Sequence, residues 1–141
     1  MGVKLEKIVK TYYDNLEKGR ITGRKCQCCG AIEFPPVLIC NTCGSSEMEW
    51  TEISRKAKMN SIMMPQGASR QQTNEDLMPY CLAAVTIEEG AEVNALVKGV
   101  TWENKEELYR TLPVNCHAII VQRDGYKTVM FEIDGEEREF S

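Results

Sequence analysis

The chain of 141 residues carries 17 lysines and arginines against 21 aspartates and glutamates, a formal net charge of −4. This length predicts one ordinary domain, or one small domain with an appendage. The acidic balance argues against a nucleic-acid-binding domain, in which lysine and arginine normally cluster in excess.

An amphipathic helix is predicted over residues 3–18. Its apolar residues recur every three or four positions, as one buried helical face requires. They are Leu5, Ile8, Val9, Tyr12 and Leu16. Gly19 follows where a glycine commonly ends a helix. The apolar face can pack on its own domain or dock on a partner, and the sequence leaves both readings open.

Two Cys-x-x-Cys pairs come next, separated by ten residues, and each pair is followed by a glycine. The four cysteines are Cys26, Cys29, Cys40 and Cys43. Zinc prefers four soft ligands at tetrahedral corners, and two such turns supply four thiolates to one ion. The pattern predicts a zinc ribbon. Because four protein thiolates leave no open position for water, we expect the zinc to be structural.

Two other readings of these cysteines are weaker. Structural disulfides would suit a secreted chain, but the first residues lack the apolar region of a signal peptide. A redox pair would need only one Cys-x-x-Cys motif, and no βαβ pattern surrounds either pair. The remaining Cys28, Cys81 and Cys116 are expected to be free thiols, which fits a reducing cytoplasm. No stretch approaches 18 apolar residues, so no membrane segment is expected.

The rest of the chain has the pattern of strands. Residues 50–64 are strand-like, and residues 65–79 form a long polar loop. Four further strands are predicted at 80–87, 93–100, 114–121 and 127–133, and the last two are joined by an Asp-Gly turn. A short helix is predicted at 103–112, and Pro113 ends it.

This order of elements is that of an OB-fold, a small five-stranded Greek-key barrel. We therefore expect a mainly β protein with an N-terminal helix, a four-cysteine zinc ribbon, and a five-stranded OB-fold barrel with one short helix. The predicted boundaries are 1–23 for the helix, 24–49 for the ribbon and 50–141 for the barrel.

The chain resembles the DUF35 family, in which a zinc ribbon precedes an OB-fold. The resemblance covers about residues 25 to 100 and is carried by the two knuckles, Phe34-Pro35-Pro36 between them, Trp50, and the run from Pro79-Tyr80 into Leu82-Ala83-Ala84-Val85. Two features depart from the family pattern. The segment 54–58 lacks the glycine that usually follows the first tryptophan-bearing strand, and Cys28 inside the first knuckle is atypical and could compete as a ligand.

The resemblance implies an accessory subunit of a thiolase-type acyl-CoA complex. In that family the helix and ribbon face a thiolase-fold catalytic subunit, and the barrel lies beside the acyl-CoA entrance. A subunit of this kind could serve the thiolysis of a bulky β-ketoacyl-CoA such as benzoylsuccinyl-CoA, or assist a hydroxymethylglutaryl-CoA synthase or an acyltransferase.

The residues themselves do not predict an independent enzyme. A thiolase-type condensation needs a cysteine nucleophile and a histidine base. His117 is the single histidine, and its neighbour Cys116 should point to the opposite face of a strand. No catalytic residue is therefore predicted, and Cys81 and Cys116 are expected to be buried small hydrophobes.

If the barrel binds CoA, its phosphates require lysine or arginine. The candidates are Arg55, Lys56, Lys58 and Arg70. The alternative, that they are solvated surface charges, is the more common case for residues of this kind. Two other functions are weighed. A ribbon with an OB-fold can be a nucleic-acid-binding module, although the net charge and the few barrel aromatics argue against it. A scaffold with no role near the substrate is the other.

Overall fold

A computed structural model describes residues 5–64 and 79–134. Its elements in chain order are α1 (Leu5–Glu17), β1 (Thr22–Cys26), β2 (Ile32–Glu33), β3 (Met48–Glu52), β4 (Lys56–Met59), β5 (Tyr80–Ile87), β6 (Glu92–Lys98), α2 (Lys105–Arg110), β7 (Val114–Arg123) and β8 (Tyr126–Ile133). The predicted fold class is confirmed. Neither of these helices has the length and apolar content needed to cross a bilayer.

The chain forms two compact units, and neither is continuous in sequence. The first consists of Met1–Arg55, Glu88–Ala91 and Ile120–Val129, and the second of Lys56–Ile87, Glu92–Ile119 and Met130–Ser141. The first unit thus combines the N-terminal helix and the ribbon with two later turns of the chain. The three predicted domain boundaries stay a prediction.

Helix α1 forms where the apolar spacing predicted it. Ile8 and Leu16 are buried within the first unit. Val9, expected on the same face, is 46% exposed, so the predicted apolar face is only partly covered. Burial raises the pKa of Tyr12, with a smaller contribution from its neighbour Tyr13.

The end of α1 is a Schellman turn. The Gly19 N–H donates to the Leu16 carbonyl and the Arg20 N–H donates to the Asn15 carbonyl, both at 2.9 Å. Gly19 has φ +81°, which confirms its predicted position after the helix. Arg55 adds a third contact, because its Nη2 donates to the Gly19 carbonyl oxygen at 2.6 Å. A cation at this position also interacts favourably with the negative, C-terminal end of the helix dipole.

The ribbon is built on a small antiparallel sheet in the order β2-β1-β3. Arg24 at the centre of β1 is the register partner of Glu33 in β2 and of Trp50 in β3. Trp50 therefore belongs to the ribbon sheet. The strand-like segment predicted over 50–64 is divided into β3 and β4, because Arg55 between them has φ +80° and interrupts the extended backbone.

The second sheet is a closed barrel in the order β4-β5-β6-β8-β7. Strand β4 pairs antiparallel with β5 and β7, β5 pairs antiparallel with β6, and β6 pairs parallel with β8. This is the five-stranded closure expected of an OB-fold, and α2 lies in sequence between its third and fourth strands. The barrel interior is filled by side chains that include Met59, Val85, Val97 and Phe131.

Candidate metal centre

Two similar turns present the four cysteines of the ribbon. Cys26 is the last residue of β1, and the Gly30 N–H donates to its carbonyl at 3.0 Å. In the second turn the Gly44 N–H donates to the Cys40 carbonyl at 2.9 Å. Both glycines have φ +82°. Each turn needs a residue with positive φ directly after its second cysteine, which explains the two glycines in the sequence.

The four sulfur atoms lie close enough to share one ion. All four Sγ atoms are within 4.8 Å of one another. Cys26 and Cys43 are 3.5 Å apart, and Cys29 and Cys40 are 3.7 Å apart. A tetrahedral zinc with Zn–S bonds of about 2.3 Å separates its sulfurs by about 3.8 Å. The predicted zinc ribbon is confirmed as a four-cysteine cluster suited to a structural zinc.

Backbone N–H groups aim at the sulfurs and stabilise the thiolates. Cys26 Sγ accepts from the N–H of Cys29 at 3.5 Å and of Cys28 at 3.4 Å. These contacts, the one from Cys29 being the largest, lower the pKa of Cys26 to about 6. Cys40 Sγ accepts from the Thr42 N–H at 3.3 Å. In the absence of metal, Cys26 is therefore the readiest thiol to ionise.

Cys43 behaves in the opposite way. A backbone hydrogen bond at Ser45 lowers the pKa of Cys43, but the thiols of Cys26 and Cys29 raise it more strongly, to about 12. Zinc binding has to displace this proton, because only the thiolate is a good ligand. Binding therefore releases protons and is weakened by acid.

A zinc ion here would be enclosed by protein sulfur. Four thiolates and one Zn²⁺ leave two net negative charges and no position for water or substrate. The chemistry it supplies is structural cohesion, since the two turns are held by the ion. Cys28, which could have competed as a ligand, points elsewhere: its Sγ is 3.4 Å from Ser45 Oγ.

Two residues near this centre were not singled out from the sequence. Arg24 is 5% exposed, although arginine is seldom buried. Glu33 places its carboxylate against the second turn, where Oε2 accepts from the Asn41 N–H at 3.1 Å. An arginine two residues before the first ligand, inside a strand, was the signal that could have drawn attention.

The predicted CoA contacts lie in different elements. Lys56 and Lys58 alternate with the buried Ala57 and Met59, so both lysines are on the outer side of β4. The Arg55 guanidinium is engaged with the Gly19 carbonyl. Arg70 lies outside the described residues. These four contacts stay a prediction.

His117 and Cys116 point to opposite sides of β7, as the alternation predicted. His117 Nδ1 is 2.7 Å from Asp134 Oδ1, and its Nε2 is 3.3 Å from Glu132 Oε1. Cys116 and Cys81 are buried, as predicted for small hydrophobes. Burial, the largest cause at both sites, raises the pKa of Cys81 to about 11 and of Cys116 to about 12. Neither thiol forms a dyad with the histidine.

Comparison with known proteins agrees with this geometry. Residues 14–49 match the ChsH2 rubredoxin-like zinc ribbon domain. A DUF35 domain-containing scaffold protein of Methanothermobacter thermautotrophicus is 30% identical over 90 residues, which is 63% of this chain and 66% of that protein. A protein of the same description from Methanocaldococcus jannaschii is 25% identical over 130 residues, or 89% of each chain.

Solved structures share the fold. The Ltp2-ChsH2(DUF35) aldolase contains a chain that matches with a TM-score of 0.67 and 17% identity, over 88% of this chain and 92% of that one. A DUF35 protein of unknown function from Sulfolobus solfataricus matches with a TM-score of 0.58 and 17% identity, over 90% and 85%. The chain is therefore similar to the ChsH2 zinc ribbon over residues 14–49, and over longer stretches to two archaeal scaffold proteins that contain a DUF35 domain.

Proposed function

We propose that this protein is a non-catalytic subunit of a thiolase-type acyl-CoA complex. Helix α1 and the ribbon dock on a thiolase-fold catalytic subunit, and the barrel shapes the binding of CoA or acyl-CoA. The catalytic subunit supplies the nucleophile and the base. A fitting reaction is the thiolysis of a bulky β-ketoacyl-CoA such as benzoylsuccinyl-CoA, and a hydroxymethylglutaryl-CoA synthase or an acyltransferase would be served in the same way.

The proposal rests on the contacts of the cysteine and histidine side chains among the described residues. Four of the cysteines form a closed metal centre. Cys81 and Cys116 are buried thiols with raised pKa values, and His117 lies between two carboxylates. The remaining thiol, Cys28, is exposed and lies beside Ser45, and among the described residues no cysteine forms a hydrogen bond with His117. A chain built in this way serves chemistry that another protein performs.

The names of similar proteins support a role in an assembly. The two archaeal relatives are described as scaffold proteins. The solved structure with the higher TM-score of the two is an aldolase named for both Ltp2 and ChsH2(DUF35). An aldolase that acts on an acyl-CoA is therefore included among the partner enzymes to be tried.

An exposed patch in the first unit supports docking through α1. Val9 and Tyr126 are each 46% exposed, and Tyr13 lies beside them. The rings of Tyr13 and Tyr126 meet edge to face, with centroids 6.1 Å apart. Tyrosine and apolar side chains are enriched at the centres of protein interfaces. We call Val9, Tyr13 and Tyr126 the α1 patch and propose that the catalytic subunit covers it.

Co-purification tests the docking proposal. The protein is co-expressed with candidate thiolase-fold enzymes, and the affinity of each pair is measured. Val9→Asp should weaken binding at least tenfold, since it places a charge in a buried contact. Lys7→Asp is the matched control, because it places the same side chain at an exposed position elsewhere on α1. Equal affinities for the two variants would exclude α1 as the docking element.

The CoA contribution is tested in the assembled complex. Replacing Lys56 and Lys58 by methionine, with and without neutralisation of Arg70, should raise the apparent acyl-CoA KM if these cations hold phosphates. Unchanged kinetics with intact assembly would leave only the scaffold role. The Arg55 guanidinium has N–H groups besides the one that donates to the Gly19 carbonyl, so Arg55→Lys is included as a third variant.

One surface in the second unit keeps nucleic-acid binding as the second candidate. Trp102 and Tyr109 are exposed, and the Lys105 ammonium lies 5.5 Å from the Trp102 ring centre. Lys105, Tyr109 and Arg110 line an open cavity of about 370 Å³. Stacking rings beside cations suit single strands. However, Glu106 also lines this cavity, so a polyanion would meet a carboxylate there. Salt-dependent binding of single-stranded oligonucleotides by this face would favour the second candidate, and no binding at low salt would eliminate it.

A further inference from the structure

The second cysteine turn is attached to the ribbon sheet differently from the first. The first turn continues β1, and the Cys26 N–H donates to the Ala31 carbonyl at 2.8 Å at its closing end. Cys40 and Cys43 lie between β2 and β3, outside any strand. The backbone bond from the Cys40 N–H to the Ser45 carbonyl is internal to that segment. After the second turn, the Gln27 N–H donates to the Glu47 carbonyl at 2.7 Å and so links the two turns on that side; around Cys40 itself, side chains make the connection to the sheet.

Arg24 makes one such connection. Its Nη2 donates to the Met48 carbonyl at 2.9 Å, and its Nη1 donates to the Val37 carbonyl at 3.4 Å. The guanidinium carbon lies 5.3 Å from the centre of the Trp50 ring. The planar fork thus joins the segment entering the second turn to strand β3, while its flat face packs on the indole.

The burial of Arg24 calls for an explanation. Its Nε has no hydrogen-bond partner, and among residues 5–64 and 79–134 no carboxylate forms an ion pair with it. A buried cation without a counter-ion is costly unless a nearby negative charge compensates it. A zinc tetrathiolate carries two negative charges, and its ligand Cys26 is two residues from Arg24 in the same strand.

Glu33 makes the second connection, from the neighbouring strand. It is the register partner of Arg24 across β1 and β2. Its Oε2 accepts from the Asn41 N–H at 3.1 Å and its Oε1 accepts from the Asn41 side-chain amide at 3.4 Å. The same Oε2 is 3.8 Å from Cys40 Sγ. Glu33 therefore fixes the backbone at Asn41, directly after Cys40, whereas Arg24 contacts the backbone at Val37, before Cys40.

We propose that Arg24 and Glu33 are positioning residues of the metal centre. Together they fix the backbone on both sides of Cys40, at Val37 and Asn41, so that the second pair of thiolates meets the first at tetrahedral spacing. Neither residue is a ligand, and both act through the backbone. The proposal concerns only the ribbon and is independent of which catalytic subunit the protein joins.

Metal release measures the effect directly. Arg24→Lys keeps the charge but loses the fork, and Glu33→Gln keeps the shape but loses the charge. Each should speed zinc transfer to an excess of chelator by about 10-fold to 100-fold, the usual consequence of losing an outer partner of a metal ligand. Lys25→Met is the matched control, because Lys25 is the exposed neighbour in β1 and should change the rate less than twofold.

The cobalt-substituted protein gives a second readout that general destabilisation does not move. The visible absorption of Co²⁺ reports the symmetry of its four sulfurs, so both variants should show shifted bands while Lys25→Met matches the wild type. If Arg24→Lys does not fold, Glu33→Gln alone decides, since Glu33 is only partly buried and its contact with Asn41 is exposed. Wild-type release rates together with a wild-type cobalt spectrum in Glu33→Gln would overturn the proposal. If the double variant speeds zinc release by less than the product of the two single-variant fold-changes, Arg24 and Glu33 act as one unit.

Discussion

Arg55 is the residue at which the structure makes the sharpest quantitative prediction. Among the described residues it is the one non-glycine with positive φ, at +80°. An L-residue in this region brings its Cβ too close to the carbonyl oxygen, and glycine does not. Residues 54–58 contain no glycine. Replacing Arg55 by glycine and by alanine separates backbone strain from the side-chain contact.

Two opposing effects set the magnitude. The left-handed conformation costs about 1–2 kcal/mol for an L-residue. Glycine avoids this cost, but it makes the unfolded chain more flexible, which lowers the stability of the Gly variant by about 0.4–1 kcal/mol. The Gly variant should therefore be more stable than the Ala variant by about 1 kcal/mol. Both variants lose the 2.6 Å hydrogen bond to Gly19, a charged contact worth about 1 kcal/mol at a partly exposed site, so Arg55→Ala should be less stable than wild type.

The assay is urea unfolding of the zinc-loaded protein, followed by far-UV circular dichroism at constant free zinc. Wild type and Arg55→Gly should have midpoints close to each other, while Arg55→Ala should unfold at lower urea with the same slope. Arg55→Lys serves as a control that keeps the charge and the strain. An alanine variant as stable as the glycine variant would refute the assignment of strain to this residue.

Three further predictions concern the metal, the barrel thiols and two glycines. Removing zinc with a chelator should unfold the ribbon at a cost on the order of 10 kcal/mol, seen as proton uptake by the freed thiolates and loss of ribbon signal, while retained structure would contradict a structural zinc. Burial raises the pKa values of Cys81 and Cys116 above 9.0, so the stability that their neutral thiols contribute is complete below about pH 9 and is lost as the pH rises toward 11–12. Urea midpoints measured across this range should fall, and they should fall less steeply in Cys116→Ala. Gly44→Ala meets no atom within 4 Å and should cost about 1 kcal/mol of backbone strain. Gly99→Ala, whose Cβ would lie 2.8 Å from Ile133 Cγ1, should cost more in the same unfolding assay, and equal costs would contradict the close packing.

The features fixed by local chemistry could be predicted from the sequence. The period of apolar residues located α1, and β5 has its predicted bounds, 80–87. The metal centre followed from the spacing of four cysteines, because ligand geometry restricts the short turns between them. These patterns act over a few residues, so one chain contains all the information they need.

The features that depend on register could not be predicted in this way. Arg24 reaches Val37 and Met48 only because β1 pairs with both of its neighbours at one particular offset. The division of the 50–64 segment was missed for a related reason. Its residues have strand character throughout, and the interruption comes from a single strained backbone angle at Arg55 that composition does not reveal.

The discontinuity of the first unit has a consequence for the order in which the protein is made. Its later part, Ile120–Val129, carries Tyr126, which contacts Tyr13, and Lys127, whose ammonium is 3.9 Å from Glu17. A ribosome delivers α1 first, then the cysteines, and these partners of α1 more than a hundred residues after the helix. The nascent ribbon can therefore capture its metal early, but α1 acquires these neighbours only after residues 120–129 have been made. A shortened chain that ends before residue 120 would keep every metal ligand and still present an incomplete helix surface.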